Sequence, residues 1–188
     1  MRRSRMILAA LLATTLTTGC GYNTIQRKDE AVNSAASQIK VQLQRRSDLI
    51  PNLVETVKGF ATQESTVFIG VTEARARLNG AIQGGGMGDM AEANQALTGA
   101  LGRLFAVVEA YPELKSNANF LQLQDQLEGT ENRIAVARQD YNGAVQDFNA
   151  YIRQFPVNLT AKIFGLGSPR EYFELTSAEA AEAPKVKF

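Results

Sequence analysis

From Phe120 to Phe155 a large apolar or aromatic residue returns at every seventh position: Phe120, Leu127, Ile134, Tyr141, Phe148 and Phe155. A second line three residues on, Leu123, Thr130, Ala137, Ala144 and Tyr151, completes a heptad that is bulky at its ends and small in its middle. The pattern predicts one helix that opens at Ser116 or Asn117 and closes at Pro156. At 1.5 Å per residue it would be about 50 Å long, and so long a helix with one apolar stripe needs partners of similar length. Gly129 and Gly143 inside it each cost about 1 kcal/mol relative to Ala, a loss that close backbone packing would offset.

The rest of the chain offers those partners. Between Tyr22 and Arg46, Ile25, Val32, Ala36, Ile39 and Leu43 mark a first amphipathic helix. Ser47 or Asp48 can cap a second with Pro51 in its first turn, the alternative being one continuous helix kinked at Pro51. Leu49, Leu53, Val57, Phe60, Glu64, Val67, Val71 and Leu78 keep helical spacing to about Ile82, Glu64 being the polar member. The stretch QGGGMG (83–88) breaks the pattern; with no Lys-Ser/Thr after it and no strand before it, it reads as a flexible helix connector rather than a phosphate cradle. Asp89 and Glu92 have the spacing of a capping box for a third helix, whose stripe is Met90, Asn94, Leu97, Leu101, Leu104, Val108 and Tyr111 and which Pro112 ends. After the long helix, Val157–Gly165 reads as a short helix stopped by Gly165, and Ser168-Pro169 as the cap of a further turn carrying Tyr172 and Phe173. The fold expected is all-α: an antiparallel up-and-down four-helix bundle with long helices, a short C-terminal helical lid and a mobile tail over 176–188.

Composition narrows the chemistry. The 188 residues are 45% hydrophobic, enough for a core of ordinary domain size, and they include no His and a single Cys, Cys20. His-dependent acid–base catalysis, Cys/His metal sites and internal disulfides are therefore ruled out. Glu128 and Glu131 share a helix face as a carboxylate pair can, but helix surfaces carry such pairs routinely, so no enzyme, cofactor or metal is expected.

The N-terminus has its own pattern. Arg2, Arg3 and Arg5 precede an apolar run from Met6 and small residues up to Gly19 and Cys20. A run of roughly 13 residues is too short for a span that needs about 20, so 1–19 reads as a secretion signal. Its end resembles the lipobox of bacterial lipoproteins, with Thr17 where Leu is usual, which makes Cys20 the residue to be lipidated; an ordinary signal peptide ending near a Cys is the alternative. Gly21 rather than Asp after it points to the outer membrane. Removing 1–19 lowers the basic residues from 20 to 17 against 19 acidic ones, a net charge of −2 that does not fit nucleic acid.

Three stretches, VQLQRRSDLIPNLVETVKGFA (Val41 to Ala61), EAYPELKSNANFLQLQDQLEGTENRIAVARQDYN (Glu109 to Asn142) and REYFEL (Arg170 to Leu175), resemble the hallmark segments of the LemA family. The resemblance covers essentially the whole chain after the signal and implies a four-helix bundle at the outside of the cytoplasmic membrane or in the periplasm, with no established enzymatic activity. Members commonly carry an N-terminal spanning helix, where this chain offers a lipobox-like signal. The function expected is a lipid-anchored interaction module or scaffold of the cell envelope. The alternative is a ligand-binding bundle with an apolar cavity lined by Phe60, Phe105 and Phe120. Arg45, Arg46 and Asp48 beside LIPNLV are candidate partner-binding residues, against the plainer reading of ion pairs, shared with Glu109, Glu128, Glu131 and Arg133, that set helix register. Each aromatic–Asn pair, such as Tyr141-Asn142 and Phe148-Asn149, reads as a core ring beside an exposed amide. Val186 and the terminal Phe188 point the same way in an extended chain, the arrangement PDZ domains capture, unless they fold back on the bundle.

Overall fold

A computed structural model of the chain describes residues 2–61 and 63–174, with side chains from residue 21 onward. Every element among them is a helix: α1 (Arg2–Lys58), α2 (Ser65–Gly84), α3 (Met87–Val108), α4 (Pro112–Lys115), α5 (Ala118–Tyr151) and α6 (Val157–Ile163). The chain is all-α, as its periodicity predicts.

Helix α5 is the heptad helix. Phe120, Leu127, Ile134, Tyr141 and Phe148 are buried on one line, Thr130 and Ala137 on the other. Asn117 opens it, its Oδ1 accepting the backbone N–H groups of Asn119 and Phe120 at 3.0 and 3.2 Å. The helix ends at Tyr151 rather than at Pro156, and Phe155 is 81% exposed instead of closing the seam. A residue before proline is pushed out of the helical region, which ends the periodicity early.

Pro51 lies inside α1, so the single continuous helix is the alternative realised. Having no N–H, Pro51 leaves the Ser47 carbonyl without its helical donor; Arg75 of α2 supplies one, Nε to O at 2.9 Å. The break comes further on, over 59–64. Gly59 ends α1 with its N–H donating to the Glu55 carbonyl, and Glu64 accepts the first N–H groups of α2 from Val67 and Phe68. The polar member of the predicted stripe therefore marks the turn, and Phe60 is 38% exposed beside it.

The connector between α2 and α3 is Gly85-Gly86, tight rather than flexible. A Cβ on Gly85 would stand 2.9 Å from the Ala81 carbonyl oxygen and 3.0 Å from Asp89 Cβ. The Gly86 N–H donates to Asp89 Oδ2 at 2.8 Å, so Asp89 closes the first turn of α3 from inside it instead of opening the helix with Glu92. On α3, Met90, Leu97, Leu101, Leu104 and Val108 are buried as predicted, and α2 and α3 pack on each other.

The chain divides into two compact units. One comprises α1 up to Ser37 and Asp140–Glu171. Ile25 and Val32 of α1 and Tyr141, Val145 and Phe148 of α5 are buried there, with Ile152 just past the end of α5 and Thr160 and Ala161 from α6. The segment after α6 is irregular, with bends and no further helix among the described residues. Asn149 holds it reciprocally: Oδ1 accepts the Arg170 N–H at 2.7 Å and Nδ2 donates to the Arg170 carbonyl at 2.9 Å. Tyr141 Oη donates to the Glu171 carbonyl at 2.7 Å, and Arg170 pairs with Asp29 at 2.6 Å. Asn149 is thus buried, where an exposed amide was the expectation, because it carries the backbone pairing of a segment that has no helix of its own. The other unit comprises Gln38–Gln139 and the chain from Tyr172; Leu43, Leu53, Val71, Leu78, Leu97 and Leu104 are among its fully buried side chains.

Candidate functional site

In the second unit α1 places two adjacent arginines in opposite settings. Arg46 is 5% exposed among apolar residues, a position that demands partners. Its Nη1 donates to Asn94 Oδ1 of α3 at 2.6 Å, its Nη2 to Thr98 Oγ1 at 3.1 Å, and Nη1 forms an ion pair with Glu131 of α5. Burial pushes the Arg46 pKa down and the Glu131 charge pulls it back up. Beside it Ser47, fully buried, donates from Oγ to Asn79 Oδ1 of α2 at 2.7 Å, and its carbonyl takes the Arg75 bond. One level of the unit therefore ties α1 to α2, α3 and α5 by polar side chains alone. The plainer reading, ion pairs that fix register, describes Arg46 and Glu131; Glu109 pairs locally with Lys115 at 2.6 Å.

Arg45 and Asp48 face outward. With Leu49 they form one wall of an open groove of about 610 Å³, and Gln122, Asp125, Gln126, Thr130 and Arg133 of α5 form the other. Gly129 lies on that α5 wall with nothing within 4 Å of where a Cβ would stand, and the same holds for Gly143. Neither glycine serves close helix packing among the described residues, contrary to the expectation; at Gly129 the missing side chain widens the groove. The lining alternates charge, Arg45 and Arg133 against Asp48 and Asp125, and so favours a polar surface of mixed sign over a bare anion. A second hollow of about 430 Å³ lies between α3 and α5, lined in part by Asn94, Thr98 and Glu131, the partners of Arg46.

Phe120 is buried and meets the half-buried Phe105 edge to face with centroids 6.3 Å apart, whereas Phe60 stands at the surface of the α1–α2 turn. The Cys20 side chain, Val186 and Phe188 lie outside the described residues. Ser47, Arg75, Asn79 and Thr98 are hydrogen-bonding members of this level that sequence reasoning misses; Asn94 leaves a trace, as the amide on the otherwise apolar α3 stripe.

The sequence model of the LemA family matches residues 35–188. Two relatives from Paramagnetospirillum magneticum (strain ATCC 700264 / AMB-1), Magnetosome protein MamQ 1 and Magnetosome protein MamQ 2, are each 32% identical to the chain over 194 aligned residues, covering 91% of it and 70% of their own length. Protein LemA of Metamycoplasma hominis is 23% identical over 141 residues, covering 74% of the chain and 63% of its own length.

Proposed function

Because the chain belongs to the LemA family, we propose that it is a membrane-attached protein of the cell envelope that acts as a non-catalytic interaction module. Four helices, the second half of α1, α2, α3 and the first half of α5, form an antiparallel up-and-down bundle whose rigidity comes from the Arg46 level, and a lipid on Cys20 anchors it on the periplasmic side of the outer membrane. Among the described residues no helix is long and apolar enough to cross a membrane.

The observation that carries the reading is the groove between α1 and α5. Its charged residues, Arg45, Asp48, Asp125 and Arg133, belong to two of the stretches that resemble the family's hallmark segments, Val41 to Ala61 and Glu109 to Asn142, yet they stay out of the core and line about 610 Å³ of open space. Exposed charges that take no part in the unit's core are where a partner gains most, since they need no desolvation of the fold itself; Asp48 is held only locally, Gln44 Nε2 donating to its Oδ1 at 2.7 Å. The partner is an envelope protein. A PDZ-type domain gripping Val186 and Phe188 is a second contact of the same kind.

A photo-crosslinking residue at Gln126, in the groove, and another at Gln139, outside it, test this in intact cells. A discrete crosslinked species from Gln126 that is absent from Gln139, and that Arg45→Glu with Arg133→Glu abolishes, is the expected result. Identical patterns from both positions would overturn the groove as the binding surface.

A further inference from the structure

Ten large apolar side chains are exposed among the described residues, and four of them, Phe155, Leu159, Ile163 and Phe164, fall within ten positions of one another at 81, 52, 76 and 56% exposure. Clustering of this kind marks a contact surface, whereas scattered exposed apolar residues mark nothing. The local fold explains why they are out. The fully buried residues of α6, Thr160 and Ala161, are both small, Val157 and Asn158 are half-buried, and Leu159 and Ile163 are left facing out. Gly165, at φ 72°, ends the helix in a conformation that favours glycine.

Two further observations say what covers the patch. No acidic residue occurs between Asp147 and Glu171, whereas Arg153, Lys162 and Arg170 do, and Arg153 and Lys162 are exposed beside the patch. A basic rim around aromatic and aliphatic side chains is the composition of a surface that lies in the headgroup region of an anionic bilayer. The patch also adjoins the start of the folded chain. The Tyr22 and Phe164 rings meet with centroids 4.6 Å apart, and Val157 Cγ2 lies 3.7 Å from where a Cβ on Gly21 would stand. Gly21 and Tyr22 directly follow Cys20 and the apolar run from Met6, so wherever that run or a lipid on Cys20 enters a membrane, α6 is within about one helical turn of it.

We propose that the outer face of α6, with Phe155 and Phe164 at its ends and Arg153 and Lys162 at its rim, is a second membrane contact that rests in the headgroup region of the same bilayer. The inference rests on membrane attachment through the N-terminus, as proposed above. It converts a single attachment into a two-point seat: the N-terminal attachment sets affinity, and α6 sets orientation.

The full chain, expressed with its own N-terminus and recovered from membranes, is reconstituted in vesicles of phosphatidylethanolamine and phosphatidylglycerol. A polarity-sensitive fluorophore is placed on Ile163→Cys, on Leu159→Cys, or on Val136→Cys, which is equally exposed but on α5 within the other unit. The α6 probes are expected to shift to the blue and to be quenched several-fold more by spin-labelled lipid than the Val136→Cys probe. Quenching equal at all three positions, in a chain that does fractionate with membranes, overturns the α6 contact and leaves the anchor standing. A wild-type chain that never fractionates with membranes overturns both.

Discussion

Arg46 carries a full positive charge into a helical core, where Asn94, Thr98 and Glu131 serve its two Nη groups and the buried Nε has no acceptor, so the arrangement depends on those three partners. Removing one partner of a buried pair costs about 3–5 kcal/mol, but the Glu131 side chain is 47% exposed, so Glu131→Gln should cost less, about 1–3 kcal/mol. Arg46→Met combined with Glu131→Gln should lose less than the sum of the two single changes, because no uncompensated charge remains; urea unfolding of the four proteins measures this, and strict additivity would contradict the pairing. Tyr141 makes a second residue-scale prediction. Burial raises its pKa, Arg170 lowers it and Glu171 raises it, for a net rise above 10.0. The folded state therefore favours the neutral phenol: this stabilisation is complete below about pH 10 and is lost as pH climbs through the folded value. Tyr141→Phe has no such loss, so the stability gap between it and the parent should narrow above pH 10. A gap independent of pH would mean that the phenol titrates alike in both states. At this scale the sequence is half legible. Arg46 stands out beside an apolar run, whereas Asn94 and Thr98 reach it, and Asn79 reaches Ser47, only through packing between helices, and local spacing records no such geometry.

Among the elements, α5 is legible because one periodicity governs all 34 of its residues. The α1–α2 boundary is not, for two opposite reasons. Pro51 looks like a stop, yet the carbonyl it orphans is satisfied by Arg75 from the next helix, a tertiary bond that restores what the proline removes. The true turn over 59–64 keeps helical spacing through Phe60, Glu64 and Val67, so the pattern runs on where the backbone does not. The compensation is testable as a cycle. Arg75→Ala should cost about 1.5–3 kcal/mol in the parent, the worth of a charged hydrogen bond, and distinctly less in Pro51→Ala, where residue 51 has an N–H to give the Ser47 carbonyl. Equal costs in both backgrounds would show that Arg75 acts elsewhere. Glycines divide in the same physical way. Gly85→Ala has to displace backbone at 2.9 Å and should destabilise, whereas Gly129→Ala meets nothing within 4 Å and should add about 0.5–1 kcal/mol in thermal melts while narrowing the groove. Stabilisation by both changes would refute the tight α2–α3 turn.

For the whole molecule the governing question is attachment. Cys20→Ser removes the lipid acceptor, and the protein should then move from the membrane to the soluble periplasmic fraction; the mass of the mature N-terminus in the parent should exceed that of the bare polypeptide from Cys20 by the acyl groups. An unmodified Cys20, or a chain still starting at Met1, would remove the anchor. Fold class and family are legible over the whole chain because the heptad and the hallmark segments are long. The division into two compact units is not, since α1 and α5 run through both and their periodicity does not change at the boundary.

That division has a consequence for how the protein is made. The first unit joins α1 up to Ser37 with Asp140–Glu171, and its ties, Lys28 to Asp147 and Asp29 to Arg170, span 119 and 141 positions. A chain synthesised from its N-terminus presents Ile25 and Val32 long before Tyr141, Phe148 and Ile152 exist to cover them. The α2–α3 hairpin, joined by two residues, has contacts close in sequence and can close locally in the meantime. The segment delivered first is thus among the last to be shielded from water, and the interval is set by the rate of elongation rather than by the folding of any helix.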